Sequence, residues 1–183
     1  MHKKAHLVIA LALTSALALT GCTSSPKPTS TPSDIPTSAA PTDSSSAGAG
    51  YTSRITVSSD LSAKPEISLP EDSGNVDNLM VADVVEGTGA AVQSTDNVTV
   101  NYVGIGAVSR QQFDSSWDAG QTASFPLNGV ILGWQQGLVG MKVGGRRLLV
   151  IPGPLAYGTN APAGSGIGSN ETLIFVVDLV SIP

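Results

Sequence analysis

Hydrophobic and polar positions divide this chain into three stretches. A largely apolar run, Leu7 to Leu19, interrupted only by Thr14 and Ser15, gives way to a tract from Thr23 to Gly50 almost free of large apolar residues. Beyond it, β-branched and aromatic residues return in short groups. In this last part Ile55-Thr56-Val57 and Glu66-Ile67-Ser68-Leu69 predict two short strands separated by turn-rich sequence. Leu79 to Glu86 is an apolar run that stops at Gly87-Thr88-Gly89, whereas Asn97-Val98-Thr99-Val100-Asn101-Tyr102 alternates polar with apolar residues and predicts a strand with one buried face. Thr122 to Leu127, Arg146 to Ile151 and Thr172 to Ile182 complete a set of strands rich in Val, Ile, Leu and Phe.

One segment has helical spacing instead. Val130, Ile131, Trp134, Leu138 and Met141 recur at steps of three and four after Asn128, a favourable cap. Gly133 and Gly137 interrupt it, each at a cost of about 1 kcal/mol relative to alanine. Such a helix holds only if its Trp134 face packs on a sheet. The pattern predicts an α+β domain, an antiparallel β-sheet with one short α-helix against it, without internal repeats or βαβ alternation.

The N-terminal run has the form of an export signal. Lys3 and Lys4 precede an apolar segment too short to span a bilayer comfortably, and the run ends in Leu19-Thr20-Gly21-Cys22. Those last residues resemble a bacterial lipobox, which implies cleavage before Cys22 and attachment of diacylglycerol to its sulfur. A lone cysteine is usually a small buried hydrophobe, but the tract after Cys22 could not bury it. Two acyl chains give stable attachment where one would be marginal. The 28 residues from Thr23 to Gly50 are mostly Ser, Thr, Pro, Ala and Gly, a composition that cannot offset its own ordering entropy. They are expected to form a disordered tether reaching about 30 Å as a coil and up to about 90 Å where proline stiffens it. The same composition suits O-glycosylation. The expected organisation is therefore a signal peptide over 1–21, a lipidated cysteine and tether over 22–51, and one domain of roughly 130 residues over 52–183, enough for a single core.

Composition narrows the chemistry. Both histidines, His2 and His6, lie in the leader, so a mature chain has no imidazole to serve as base, nucleophile partner or zinc ligand. Cys22 is the only cysteine, which excludes an intramolecular disulfide and a Cys-x-x-Cys pair. The formal charge of −5 becomes −7 once Lys3 and Lys4 are removed, which argues against a nucleic-acid partner. Gly164, Gly166 and Gly168 are spaced like a nucleotide loop but lack the strand-loop-helix context such a loop requires. No metal or cofactor is expected.

Five of the eight aromatic residues fall in short phrases: Val100-Asn101-Tyr102-Val103-Gly104, Phe113-Asp114-Ser115-Ser116, Val130-Ile131-Leu132-Gly133-Trp134, Ala156-Tyr157-Gly158 and Thr172-Leu173-Ile174-Phe175. Singly, such residues are ordinary core. Their order and spacing resemble the FKBP family of peptidyl-prolyl cis/trans isomerases, over Leu79 to Pro183 and more loosely from Thr52. The resemblance implies a pocket with Trp134 as its floor, Phe113 and Phe175 as walls, Tyr102 and Asp114 at one side, and Val130, Ile131 and Ile167 completing it. It implies further that the Ile131 N–H and the Tyr157 hydroxyl donate to the bound chain, and that Asp114, Tyr157 and Ile131 are the catalytic positions. Asp114 also has a local reading, since Asp before Ser-Ser forms turns by accepting backbone N–H groups.

Two departures from the family pattern stand out. Ala123 occupies a position where many members carry a further pocket aromatic, leaving the pocket shallower, and Gly168 replaces the usual proline after Ile167, freeing the 159–170 loop. These features leave two readings open: an isomerase for proline-containing exported polypeptides at the outer face of the bacterial cytoplasmic membrane, or a proline-recognising chaperone or scaffold module with negligible turnover. A solute-capturing lipoprotein is disfavoured because the domain lacks a two-lobed size. The expected partners are those polypeptides, macrolide ligands and the membrane through the lipid anchor, with the protein itself a monomer.

Overall fold

The computed structural model describes residues 50–183. The signal peptide, Cys22 and nearly all of the tether lie outside the described residues. The strands are β1 (Thr56–Val57), β2 (Ile67–Ser68), β3 (Met80–Val85), β4 (Asn97–Gly106), β5 (Gln112–Ser115), β6 (Ala123–Pro126), β7 (Arg146–Ile151) and β8 (Leu173–Ser181). Two helices, α1 (Ser116–Ala119) and α2 (Leu132–Gly137), and two 3₁₀ turns, Leu127–Gly129 and Gly153–Leu155, lie between them.

The main sheet is antiparallel and runs β3-β7-β8-β4-β5. β4 is shared along its length: Asn97 to Val100 pair with β6, Val103 to Ile105 with β5, and its other edge with β8. β1 and β2 pair only with each other, so the N-terminal strands do not join the main sheet.

Both faces of the central strands are covered. Leu149, Ile151, Phe175 and Val177 face Trp134 and Leu138 on one side. Leu148, Val150, Ile174 and Val176 face the other, where Ile55, Tyr51, Val57 and Ile67 pack over them. All six residues of β7 are buried, which is why Leu148-Leu149-Val150-Ile151 reads as a continuous apolar run instead of an alternation.

Two arginines side by side on β7 take opposite faces. Arg146, wholly buried, makes a two-pronged bond to Asp178 on β8 and donates to the carbonyls of Ser58 and Ala63 at 2.7 and 3.1 Å, fastening the N-terminal segment to the sheet. Arg147 makes the same fork with Asp83 on β3 and donates to the Gly137 carbonyl at 2.9 Å, satisfying the buried C-terminal end of α2.

The helical segment is shorter than its sequence spacing suggests. α2 begins at Leu132, with the Ile131 carbonyl accepting from the Trp134 N–H at 2.9 Å. Asn128, expected as the cap, is instead exposed within the turn Leu127–Gly129. Its glycines are explained by packing. A Cβ on Gly137 would lie 2.7 Å from Leu149 Cδ2, and one on Gly133 would collide with the Ile151 side chain. The helix can approach β7 closely only because both positions lack a side chain.

Candidate active site

That close approach places Trp134, fully buried, at the centre of a ring of aromatics. Phe175 from β8 meets it edge-on at 5.3 Å between centroids, Tyr102 from β4 at 5.5 Å and Phe125 from β6 at 5.9 Å. Phe113 from β5 extends the wall by meeting Phe175 edge-on at 5.5 Å. Such perpendicular contacts suit the ring quadrupoles and fix each plane relative to the next. Beneath them β4 must carry Gly104, since a Cβ there would sit 2.6 Å from Phe113 and 2.9 Å from Phe175.

One side of this apolar basin is polar. The Tyr102 hydroxyl donates to Asp114 Oδ2 at 2.6 Å, and Asp114 Oδ1 accepts the Ser115 N–H at 2.9 Å. Burial, reinforced by the carboxylate of Asp114, pushes the Tyr102 hydroxyl far above its ordinary value, so it remains a proton donor. The turn that follows is organised by other residues: Ser115 caps α1 through the Asp118 N–H, and the Ser116 hydroxyl accepts the Tyr102 N–H at 2.8 Å. Asp114 thus makes one local bond, to the Ser115 N–H, and one across the strands, to the Tyr102 hydroxyl.

The Tyr157 hydroxyl is buried and has no hydrogen-bond partner among the described residues. Burial first, and then the charge of Asp114, push it up to about 12. A buried hydroxyl without a partner costs free energy unless something else satisfies it. The Ile131 N–H also has no partner among the described residues, although its carbonyl starts α2. Val130 and Ile131 are buried, and Ile167 and Tyr157 pack partly buried against the same cluster. The arrangement joins an apolar aromatic floor to three buried donors without partners among the described residues, the Trp134 indole N–H, the Tyr157 hydroxyl and the Ile131 N–H.

The model of the FKBP-type peptidyl-prolyl cis-trans isomerase domain matches residues 89–180, half of the chain. The chain belongs to the FKBP family of peptidyl-prolyl cis-trans isomerases. A probable FK506-binding protein of Corynebacterium glutamicum is 50% identical over 119 residues, which cover 64% of this chain and 98% of the relative. The FK506-binding protein of Streptomyces anulatus is 46% identical over 121 residues, 65% of this chain and 97% of the relative. Among solved structures, FkpA from Escherichia coli superposes with a TM-score of 0.53 at 40% identity, covering 61% of this chain and 52% of that one. The fold is the FKBP fold, and the protein is an isomerase of this type.

The two departures from the family pattern lie on β6 and in the loop before β8. Ala123 has no ring, but Phe125 lies two residues along β6, on the same face, and contacts both Tyr102 and Trp134. Strict alternation in Ala123-Ser124-Phe125-Pro126 carried that signal. The loop around Gly168 is not free either. The Gly168 N–H, which a proline would lack, donates to Glu171 Oε2 at 2.6 Å.

Proposed function

We propose that this FKBP domain catalyses X-Pro rotation in polypeptides exported across the cytoplasmic membrane, and that a lipid on Cys22 holds it at the outer face. The apolar leader, the lipobox-like Leu19-Thr20-Gly21-Cys22 and the Ser/Thr/Pro-rich tether support that location. Uncatalysed X-Pro isomerisation takes about tens to hundreds of seconds and limits folding, and its catalysis requires neither ATP nor metal. Such a foldase suits a compartment without nucleotide.

Rotation of an imide has a barrier of about 18–20 kcal/mol because the planar form is stabilised by resonance. The planar form is also the more dipolar, so a dry pocket disfavours it relative to the twisted form. In our reading the proline ring rests on Trp134 between Phe113 and Phe175, with Val130 and Ile167 closing the pocket. The Ile131 N–H and the Tyr157 hydroxyl hold the carbonyls of the bound chain, and Asp114 acts through Tyr102. Each 1.36 kcal/mol of selective stabilisation is worth about tenfold in rate. The same pocket would accept macrolide ligands; two relatives are named for binding FK506.

The observation that supports these roles best is the buried Tyr157 hydroxyl, which lacks a hydrogen-bond partner among the described residues. Tyr157→Phe removes only that donor. Turnover is expected to fall by about tenfold, the worth of one hydrogen bond. Unchanged turnover would remove Tyr157 from the mechanism. For the location, Cys22→Ser is expected to release the protein from the membrane fraction; retention there would contradict lipid anchoring.

A further inference from the structure

The 158–170 loop carries Ile167 to the pocket, and its backbone bonds are local: the Asn160 N–H donates to the Tyr157 carbonyl at 2.9 Å, the Ser165 N–H to that of Pro162 at 3.1 Å and the Glu171 N–H to that of Gly168 at 3.2 Å, none of them reaching the sheet. It contains Gly158, Gly164, Gly166 and Gly168, two of which, Gly164 and Gly166, have φ near +80°, and none of its residues belongs to a strand. Glycines in such numbers raise the entropic cost of holding one conformation. At its base the loop is closed by the Asn170 N–H donating to the Gly158 carbonyl at 2.7 Å. Around Ile167 itself, the Ile167 N–H reaches Ser165 Oγ at a long 3.3 Å.

Glu171 supplies the missing tie. The residue is buried, and its carboxylate accepts the N–H groups of Ser109 at 2.7 Å, Val108 at 3.1 Å and Gly168 at 2.6 Å. Two of these come from the turn between β4 and β5, the third from the residue following Ile167. The carboxylate rests in the space above Gly106, where a Cβ would collide with Glu171 and with the Ser109 hydroxyl. Burial alone would raise the Glu171 carboxyl, but the donors from Ser109, Gly168 and Val108 outweigh it and hold the group below its usual value. The charged form is the one that makes these bonds, and charge-assisted bonds are the stronger kind.

We propose that Glu171 is a positioning residue of the isomerase: it clamps Gly168 to the β4–β5 turn and so fixes Ile167 at the pocket. Glu171 makes no contact with the reacting imide in this arrangement. Its effect passes through Ile167, so the inference rests on Ile167 being a pocket residue, as proposed above. Loosening the clamp leaves Trp134, Tyr157 and the Ile131 N–H in place. Substrate binding weakens more than the chemical step, and KM rises while kcat changes little.

The test is a double-mutant cycle on kcat/KM for X-Pro peptides, using Glu171→Ala, Ile167→Ala and the two together. Glu171→Gln, which keeps one acceptor oxygen, serves if the alanine variant fails to fold. Each single change is expected to lower kcat/KM by about three- to tenfold, mainly through KM, and the double variant to be no worse than Ile167→Ala alone. Multiplying losses would show that Glu171 acts independently of Ile167 and would overturn the proposal. A loss confined to thermal stability, with KM unchanged in Glu171→Gln, would overturn it as well. If Ile167→Ala alone leaves kcat/KM intact, the placement of Ile167 in the pocket is what fails, and the proposed role of Glu171 falls with it.

Discussion

Tyr102 and Asp114 are joined by a 2.6 Å hydrogen bond that links β4 to β5 at the edge of the pocket. The phenol donates and the carboxylate accepts, so the Tyr102 ring is held both by its packing on Trp134 and by its hydroxyl. Asp114→Asn keeps an acceptor at this position and is expected to leave kcat/KM within a few-fold. Asp114→Ala leaves a buried hydroxyl unpaired and is expected to cost about tenfold, with Tyr102→Phe adding little on top because both changes break one bond. Independent, multiplying effects in peptide assays would show that Asp114 has a second role in turnover.

A second expectation concerns pH. Tyr157 donates only while neutral, and its buried hydroxyl is pushed up to about 12. No histidine occurs among the described residues. kcat/KM is therefore expected to be flat from about pH 6 to about pH 10. Folding prefers the neutral phenol, so this group's contribution is complete below its ordinary value of 10.0 and is lost as pH rises from there toward 12. An activity loss centred near pH 10 would mean that the hydroxyl is solvated and not held in the dry pocket.

Gly133 tests the packing that places Trp134. Alanine at this position is worth about 1 kcal/mol in helix propensity. Its methyl group, however, would run into Ile151. Overpacking of this kind costs about 1–3 kcal/mol, so Gly133→Ala is expected to lower the urea midpoint on balance and to reduce turnover with it. A stabilised variant would show that α2 has room to move away from β7.

The sheet was largely legible before the structure, because β-branched runs such as Arg146 to Ile151 and Thr172 to Ile182 have few alternatives to being strands. β5 was less so. Gln112-Phe113-Asp114-Ser115 is short and half polar, and it becomes a strand only by pairing with Val103 to Ile105. The helix was located by Trp134 and Leu138 but not bounded, since Met141 lies beyond its end and Asn128 caps nothing. The site shows the same division. The residues of the five phrases that the structure brings together, Tyr102, Phe113, Trp134 and Phe175, stood out in the sequence, whereas the place of Phe125 beside them follows from strand geometry and that of Glu171 from which two loops meet. The N-terminal cover was legible only as elements: Ile55-Thr56-Val57 and Ile67 read as short strands, but that they and Tyr51 cover the far face of the sheet follows only from the packing.

Arg146 provides a test of that cover. Removing one partner of a buried charged pair costs about 3–5 kcal/mol, and Arg146→Ala would strand Asp178 and release the Ser58 and Ala63 carbonyls together. Urea unfolding is expected to show a loss of that size, and limited proteolysis a new cut between Val57 and Pro65. Replacing Asp178 with Leu in the same chain should recover only part of the loss, because the two carbonyls remain without donors. Full recovery would mean that the pair, and not the N-terminal segment, accounts for the whole effect.

The most direct test of the pocket is the rate of X-Pro exchange in peptides, followed by NMR line shape or exchange spectroscopy so that no coupling protease is needed. The protein is measured beside Phe113→Ala, which removes one wall while leaving the Trp134 floor. A marked acceleration that Phe113→Ala largely abolishes is the expected result. Peptide shifts perturbed without any acceleration would mean that the pocket only recognises proline and does not turn it over.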